Sequence, residues 1–387
     1  MKKLLLASAV SALFAAPVAA FAQAKPPAAP TLDKVLEASG ITTSGYIDAG
    51  YTYANRNIEG TGNGPVGVNT RVFDQQNNSF VLHQVGLTLA KQPKEGFGGL
   101  VNVTLGKDAS VIHSFPEAGN TSTFDLTQAY LQYATGSLTV IGGKYTTMHG
   151  TEVIASTGNT NVSRSILFGA EPFTHTGLRA TWAVSDTISL MAGVNNGWDQ
   201  LTDANRGKMG ELGATLTPIK PLSITISAMS GNEAFVLPGT TGPVFEGTRT
   251  SGNIVASFAF TDALSIGLEY LDVSQDKVPT GPAASIKAKY SGFAGYLTWM
   301  VTPKFRGVVR LESFDDHDGF HFGTMALAKP QVKYTEGTLT LAYLPSDSFE
   351  VRGEVREDKA DQAVFVGFDG TTSKTLMTLA LQGLYKF

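Results

Sequence analysis

The closing segment of the chain constrains the fold more than any other stretch. Met377, Leu379, Leu381, Gly383, Tyr385 and Phe387 take one parity, and Thr378, Ala380, Gln382, Leu384 and Lys386 take the other. A period of two marks a β-strand with one apolar and one wet face. Here the apolar face runs to the terminal aromatic itself, which gains little from a free carboxyl end in water. The alternation recurs over 188–195, 222–229 and 349–356, where Phe349, Val351, Gly353 and Val355 interleave with Glu350, Arg352, Glu354 and Arg356. Such a sheet needs something apolar to cover one face, either a second sheet or lipid.

The spacing of the connections separates these two options. Short connections with turn chemistry fall at 92–96, 135–136, 185–186, 218–221, 261–262, 302–304 and 345–347. Longer polar stretches lie between them at 55–78, 107–122, 148–172, 197–207, 232–250, 274–287, 314–330 and 359–372. This regular exchange of short and long predicts about sixteen strands with both chain ends on one side. Transmembrane barrels have short periplasmic turns and long extracellular loops, whereas a sandwich has no reason to alternate. Phe97, Phe305 and Phe349 open strands just after short turns, and Trp182, Trp299 and Tyr343 lie just before them. Aromatics clustered there read as a girdle at the membrane boundary. In lipid no strand edge can stay unpaired, so the sheet must close. The fold class expected is therefore all-β, a transmembrane antiparallel β-barrel.

The rest of the chain agrees. Lys2 and Lys3 precede the apolar run 4–22, which ends in Ala20-Phe21-Ala22 and Ala22-Gln23-Ala24. That is the form of a secretory signal peptide, assigned to 1–24. Residues 25–40 read as a linker with one short helical turn, and 41–387 as the barrel. No later segment approaches the roughly 18 unbroken apolar residues of a spanning helix. With no cysteine there is no disulfide framework, and a net charge of −4 disfavours nucleic acid.

The mature chain resembles the OmpL-like β-barrel porin family of Gram-negative bacteria. The segments that carry the likeness are Gly45-Tyr46-Ile47-Asp48, Gly150-Thr151-Glu152-Val153-Ile154, Ser163-Arg164-Ser165, Phe173-Thr174-His175-Thr176-Gly177 and Asn195-Asn196-Gly197-Trp198-Asp199. The position before Glu152 is Thr151, where the family more often carries an aromatic. The resemblance implies an outer-membrane porin and no particular substrate.

If the apolar parity faces lipid, the other parity lines the lumen. That expectation places Arg306, Arg310 and Glu312 inside on one strand, and Glu350, Arg352, Glu354 and Arg356 inside on another. Lys287, Lys289, His175 and Arg179 join them as pore-lining candidates. Arg or Lys facing lipid at mid-depth would cost about 2–4 kcal/mol each. Rows of arginine facing carboxylate set up a transverse field that filters solutes, unless the charges merely neutralise one another. The longest loop, 148–172, carries His149, Glu152, Arg164 and Glu171 and is the expected constriction.

The expected function is passive diffusion of small hydrophilic solutes or ions in the outer membrane. The alternative is a barrel serving as a surface structural protein, adhesin or receptor, and after it an outer-membrane enzyme. Expected partners are outer-membrane lipid, the barrel-assembly machinery through Phe387, the permeating solutes and two further copies in a homotrimer. No nucleophile elbow or phosphate-binding loop is present, so no enzyme or cofactor is expected. The acidic stretch Asp315-Asp316-His317-Asp318-Gly319-Phe320-His321 has donors for a cation but sits within one polar loop, and no metal is assigned to it.

Overall fold

The computed structural model describes residues 31–59, 67–116, 121–235, 245–281 and 284–387. The signal peptide assigned to 1–24 lies outside the described residues. The chain divides into two units, Met1–Gly40 and Ile41–Phe387. The first contains helix α1, Leu32–Ser39, with Ser39 Oγ donating back to Leu36 O at 2.7 Å.

The second unit opens with β1 (Thr42–Ala54), β2 (Ser79–Lys91), β3 (Gly96–Leu105), β4 (Phe124–Thr135), β5 (Leu138–Thr146) and β6 (Thr174–Ser185). It continues with β7 (Ile188–Asn195), β8 (Met209–Ile219), β9 (Leu222–Phe235), β10 (Phe245–Ala259), β11 (Leu264–Gly281) and β12 (Ala284–Thr302). Then come β13 (Phe305–Asp316), β14 (Val332–Ser346), β15 (Phe349–Ala360), the two-residue strands β16 (Phe365–Val366) and β17 (Thr372–Ser373), and β18 (Thr375–Lys386). Two one-turn helices, α2 (Ala109–Ile112) and α3 (Ile166–Gly169), lie in long loops.

Sixteen strands, all but β16 and β17, pair antiparallel with their neighbours in a closed ring. Closure runs from Tyr46↔Lys386 to Ala54↔Thr378. Gly45 and Phe387 exchange backbone hydrogen bonds at 2.9 Å. A Cβ on Gly45 would stand 2.4 Å from the Phe387 ring, so glycine lets the terminal aromatic seal the seam.

Burial is inverted relative to a soluble protein. Leu311, Leu341 and Leu381 on the outward parity are about three-fifths exposed, while Arg310, Arg352 and Arg356 on the inward parity are fully buried. The apolar outer face belongs in lipid. Two stretches read as long loops, 232–250 and 274–287, are instead mostly strand. The β9–β10 ladder reaches Phe235↔Phe245, and β11–β12 reaches Gly281↔Ala284. β12 has 19 residues, about twice the 9–11 that cross a bilayer. A hairpin projecting past the lipid needs no apolar face, so its polar sequence hides its strand character.

An apolar cluster occupies part of the barrel interior towards the long-loop end. Leu271, Val273, Tyr290, Phe314 and Tyr334 from the wall meet Ile58, Ile166, Leu167, Phe322 and Phe365 from the loops.

Candidate pore constriction

Loop 148–172 lies across the inside of the barrel. At its start, His149 Nδ1 is 2.7 Å from Ser227 Oγ on β9, and its Nε2 is 2.8 Å from Ser251 Oγ on β10. Gly150 N donates to Asn253 Oδ1 at 3.1 Å, and Thr151 N to Glu269 Oε2 at 2.9 Å. Further along, Gln84 on β2 donates to Ile154 O at 3.0 Å and accepts from Ser156 N at 3.2 Å. β2 and β10 stand on opposite sides of the sixteen-strand ring, so the loop spans the lumen. A bulge in β2 opposite Asp48 and Ala49 re-aims its side chains there, and both His83 and Gln84 are buried.

The loop then runs along β13–β15, where wall charges bind its backbone. Glu354 accepts Val162 N at 2.6 Å and Ser163 N at 2.9 Å. Glu312 accepts Ile166 N and Leu167 N at 2.8 and 2.7 Å, the free amides at the start of α3. Arginines take the carbonyls: Arg310 donates to Ser163 O at 2.8 Å, Arg352 to Asn161 O at 3.1 Å, and Arg356 to Arg164 O. The same arginines pair with carboxylates. Arg310 bridges Glu152 at 2.8 Å and Glu336 at 3.1 Å. Arg352 meets Glu350 at 2.7 Å, and Arg356 meets Asp358 at 2.6 Å. Buried charge is tolerable only with this degree of pairing and hydrogen bonding.

Within the loop, Arg164 donates to the carbonyls of Val153, Ile154 and Val162. Its guanidinium packs 5.2 Å from the Phe73 ring centroid and 5.7 Å from that of Phe168. Glu152 Oε2 accepts Ser165 N at 2.6 Å. Glu171 accepts Asn253 Nδ2 at 2.9 Å, and burial with the neighbouring Glu269 carboxylate holds its pKa well above the usual range. Gly150 has φ +89°, and a Cβ there would fall 2.1 Å from Glu171 Oε2, so only glycine fits. Burial, aided by the charges of His175 and Arg179, pulls the His149 pKa down to about 3.

The other sequence-derived candidates are placed variously. Arg306 pairs with Glu350 nearer the short-turn end. Arg179 forms a two-pronged pair with Glu211 at 2.9 and 3.0 Å and lies 4.3 Å over the Tyr145 ring. His175 is buried, its Nδ1 3.2 Å from Gly197 O. Lys287 and Lys289 do not face the lumen. Continuing the β12 parity from the outward Phe293, Leu297 and Trp299 puts both lysines outside, exposed, with Lys287 paired to Asp276 at 3.1 Å. They escape the cost of lipid burial because the β11–β12 hairpin outruns the membrane. The acidic stretch also disperses: Asp316 accepts His321 N and Phe322 N, Asp318 accepts Lys289 N, and Asp315 meets Lys333 and Gln331. Among the described residues no group of three or more carboxylates and histidines stands close enough to hold a metal ion.

Sequence reading missed Glu336, Asp358, Glu269 and Asn253. A signal for Glu336 and Asp358 was present, since both share the inward parity of Arg310 and Arg356. It also missed Arg71 of the first long loop, which bridges Asp74 at 3.0 Å and Asp358 at 2.8 Å.

On the far side of the ring the wall differs. Asn102, Gln128, Thr181, Ser189 and Thr215, inward on β3, β4 and β6–β8, are only half-buried. A cavity of about 240 Å3 separates this wall from the loop, with Asn102, Gln128 and Thr146 on one side and Val153, Phe168 and Phe173 on the other.

Solved structures share the architecture. The chain is similar to the outer membrane channel DcaP of Acinetobacter baumannii, at 15% identity and a TM-score of 0.60, covering 90% of this chain and 97% of that one. It is similar to OprB of Pseudomonas putida, at 12% identity and 0.60, covering 92% and 96%. An anion-selective porin from Comamonas acidovorans matches at 10% identity and 0.57, covering 90% and 99%. At such identities the likeness speaks for the fold. No curated protein matches the chain in sequence. The family model described as "Putative beta-barrel porin-2, OmpL-like" matches residues 40–387. With its closed sixteen-strand barrel and its apolar outer face, the chain belongs to that family of outer-membrane porins.

Proposed function

We propose that the protein is a passive pore through which small hydrophilic solutes cross the outer membrane, narrowed by loop 148–172. One observation carries the reading. The loop is tied by its backbone to charged side chains on β13–β15, while the opposite wall keeps half-exposed polar side chains beside a cavity. A loop held on one side of a barrel too wide for side chains to fill narrows the lumen without sealing it.

Planar-bilayer recording on refolded chain 25–387 tests this. Discrete open-channel steps are expected, and deletion of 155–165 should enlarge them. A conducting barrel with unchanged steps after the deletion refutes the constriction. A silent barrel refutes the pore and favours the surface-structural or receptor reading. Phe387, bonded to Gly45 at the barrel seam, is the contact we assign to the assembly machinery.

A further inference from the structure

The sequence suggests a charged lumen, yet the inward charges of β13–β15 are buried and paired. Inward-facing charges crowd β13–β15, and the loop covers them: Arg310, Glu336, Arg352 and Arg356 have almost no exposed surface. Along β3–β8 the inward charges are few and paired. Asp125 meets His113 at 3.0 Å and Lys144 at 3.5 Å, and Arg179 is locked to Glu211. The wall side of the cavity is amide and hydroxyl, with Asn102, Thr104, Thr127, Gln128 and Thr146 lining it, and Thr181 and Thr215 further round the ring are half-buried.

The loop side of the cavity carries Val153, Ile154, Ala155, Phe168 and Phe173, with His149, Glu152 and Glu171 also lining it. Val153 is 45% exposed although its neighbours Glu152 and Ile154 are below a tenth, so its isopropyl group is the loop's open face. The titratable groups in this lining are already engaged. Glu152 serves Arg310 and Ser165 N, Glu171 serves Asn253, and the His149 ring is held between two serines.

We propose that the passage beside the loop is a neutral eyelet, bounded by Val153 on one side and the amide and hydroxyl wall of β3–β5 on the other. It passes small uncharged solutes, rich in hydroxyl or amide groups, in preference to ions. The proposal rests on the porin reading and names its solute class. An ion entering here loses hydration and meets no countercharge. A hydroxylated solute exchanges water for Asn, Gln and Thr partners at little net cost and sets its apolar face against Val153. The cavity of about 240 Å3 matches roughly eight waters at about 30 Å3 each, the size of a small sugar or amide.

The test is a reversal potential across a tenfold KCl gradient, with the refolded chain 25–387 in a planar bilayer. The wild type should show a cation-to-anion permeability ratio within about twofold of one. Val153→Asp and Val153→Lys should move that ratio about tenfold in opposite directions, since a single charge about 6 Å away in watery surroundings favours one ion about threefold and disfavours the other about threefold. Asn102→Asp, on the facing wall, should follow Val153→Asp, and it stands in if that variant does not refold. In liposome swelling, a neutral pentose should enter faster than an aldonate of equal size. A wild-type ratio beyond about fivefold in either sense, or conducting variants whose ratio stays put, overturns the neutral eyelet alone. A chain that conducts nothing overturns both this and the porin reading.

Discussion

The inward faces of β13–β15 and β3–β8 share one ring and one backbone geometry, yet they do opposite work. On β13–β15 most inward positions between Arg306 and Asp358 are charges or threonines, and loop 148–172, with Arg71 of the first long loop, covers the greater part of them. On β3–β8 the inward positions are mostly Gly, Ser, Thr, Asn and Gln, and they stay half-exposed. Charge on a barrel's inner wall therefore need not be a filter. Here it is the adhesive that holds a loop, because carboxylates satisfy loop amides and guanidinia satisfy loop carbonyls. Hydrogen bonds to charged groups contribute about 1.5–3 kcal/mol each, enough to fix a segment with little apolar surface of its own. The other half has few charges, which are paired, and its short polar side chains are left half-exposed without a loop bound over them.

The sharpest way to break this contrast is to remove one adhesive charge. Arg310→Met keeps the stem but leaves Glu152 and Glu336 facing each other without a cation and frees Ser163. Removing one partner of a buried pair costs about 3–5 kcal/mol. The expected result is a large fall in the urea midpoint of the folded barrel and a noisy, enlarged channel. Thr215→Val on the open wall should cost no more than about 0.5 kcal/mol. Equal losses at the two positions would erase the distinction between the halves.

Much of this was legible in the sequence, for a definite reason. Side-chain parity is set by the pleat, so 349–356 told which residues face in: Glu350, Arg352, Glu354 and Arg356 are inward and Phe349, Val351 and Val355 outward. Turn chemistry likewise placed the hairpins. β14 was harder, because Thr335 and Gly337 on its outer face blur the contrast with inward Thr338 and Thr340, and so Glu336 was overlooked. Lys287 and Lys289 misled because the cost of charge in lipid was applied to a stretch of β12 that lies beyond the membrane. The covering of the charged row was beyond reach, since it depends on where loop 148–172 comes to rest. The backbone amides of Val162, Ser163, Ile166 and Leu167, which make that seat, leave no trace in side-chain identity.

A second, smaller effect probes the loop's other anchor. His149 is neutral in its seat, with a pKa near 3 against an ordinary value near 6.5. A His149 released from the seat would bind a proton at its ordinary value. Stability of the seat is thus full above pH 6.5 and falls as pH drops towards 3, by up to about 1.4 kcal/mol per unit. Glu171, with its pKa raised, works in the opposite sense, being favourable in acid and losing its contribution as pH climbs above 4.5. Channel noise should therefore rise as pH falls from 4.5 towards 3, where Glu171 no longer offsets His149, and His149→Asn should flatten that rise. The change should be felt at the β9–β10 end of the loop, where His149 sits.

The smallest effect expected is on the open wall itself. Arg179 neutralises Glu211 there, and Tyr145 donates a further hydrogen bond to the same carboxylate at 3.1 Å. Arg179→Gln keeps a hydrogen-bonding side chain but removes the cation, leaving one net negative charge beside the path. At about 8 Å in watery surroundings that charge is worth roughly 0.5 kcal/mol to a passing ion, about twofold for each ion and so about fivefold in the permeability ratio towards cations. Glu211→Gln should shift it equally towards anions, and the double variant should return it to the wild-type value. Cancellation would mean that the pair's role at the passage is to keep its own charges silent. A double variant that stayed shifted would mean that other charges reach the path, and the contrast between a charged, covered half and a neutral, open half would fail at the point where it was drawn.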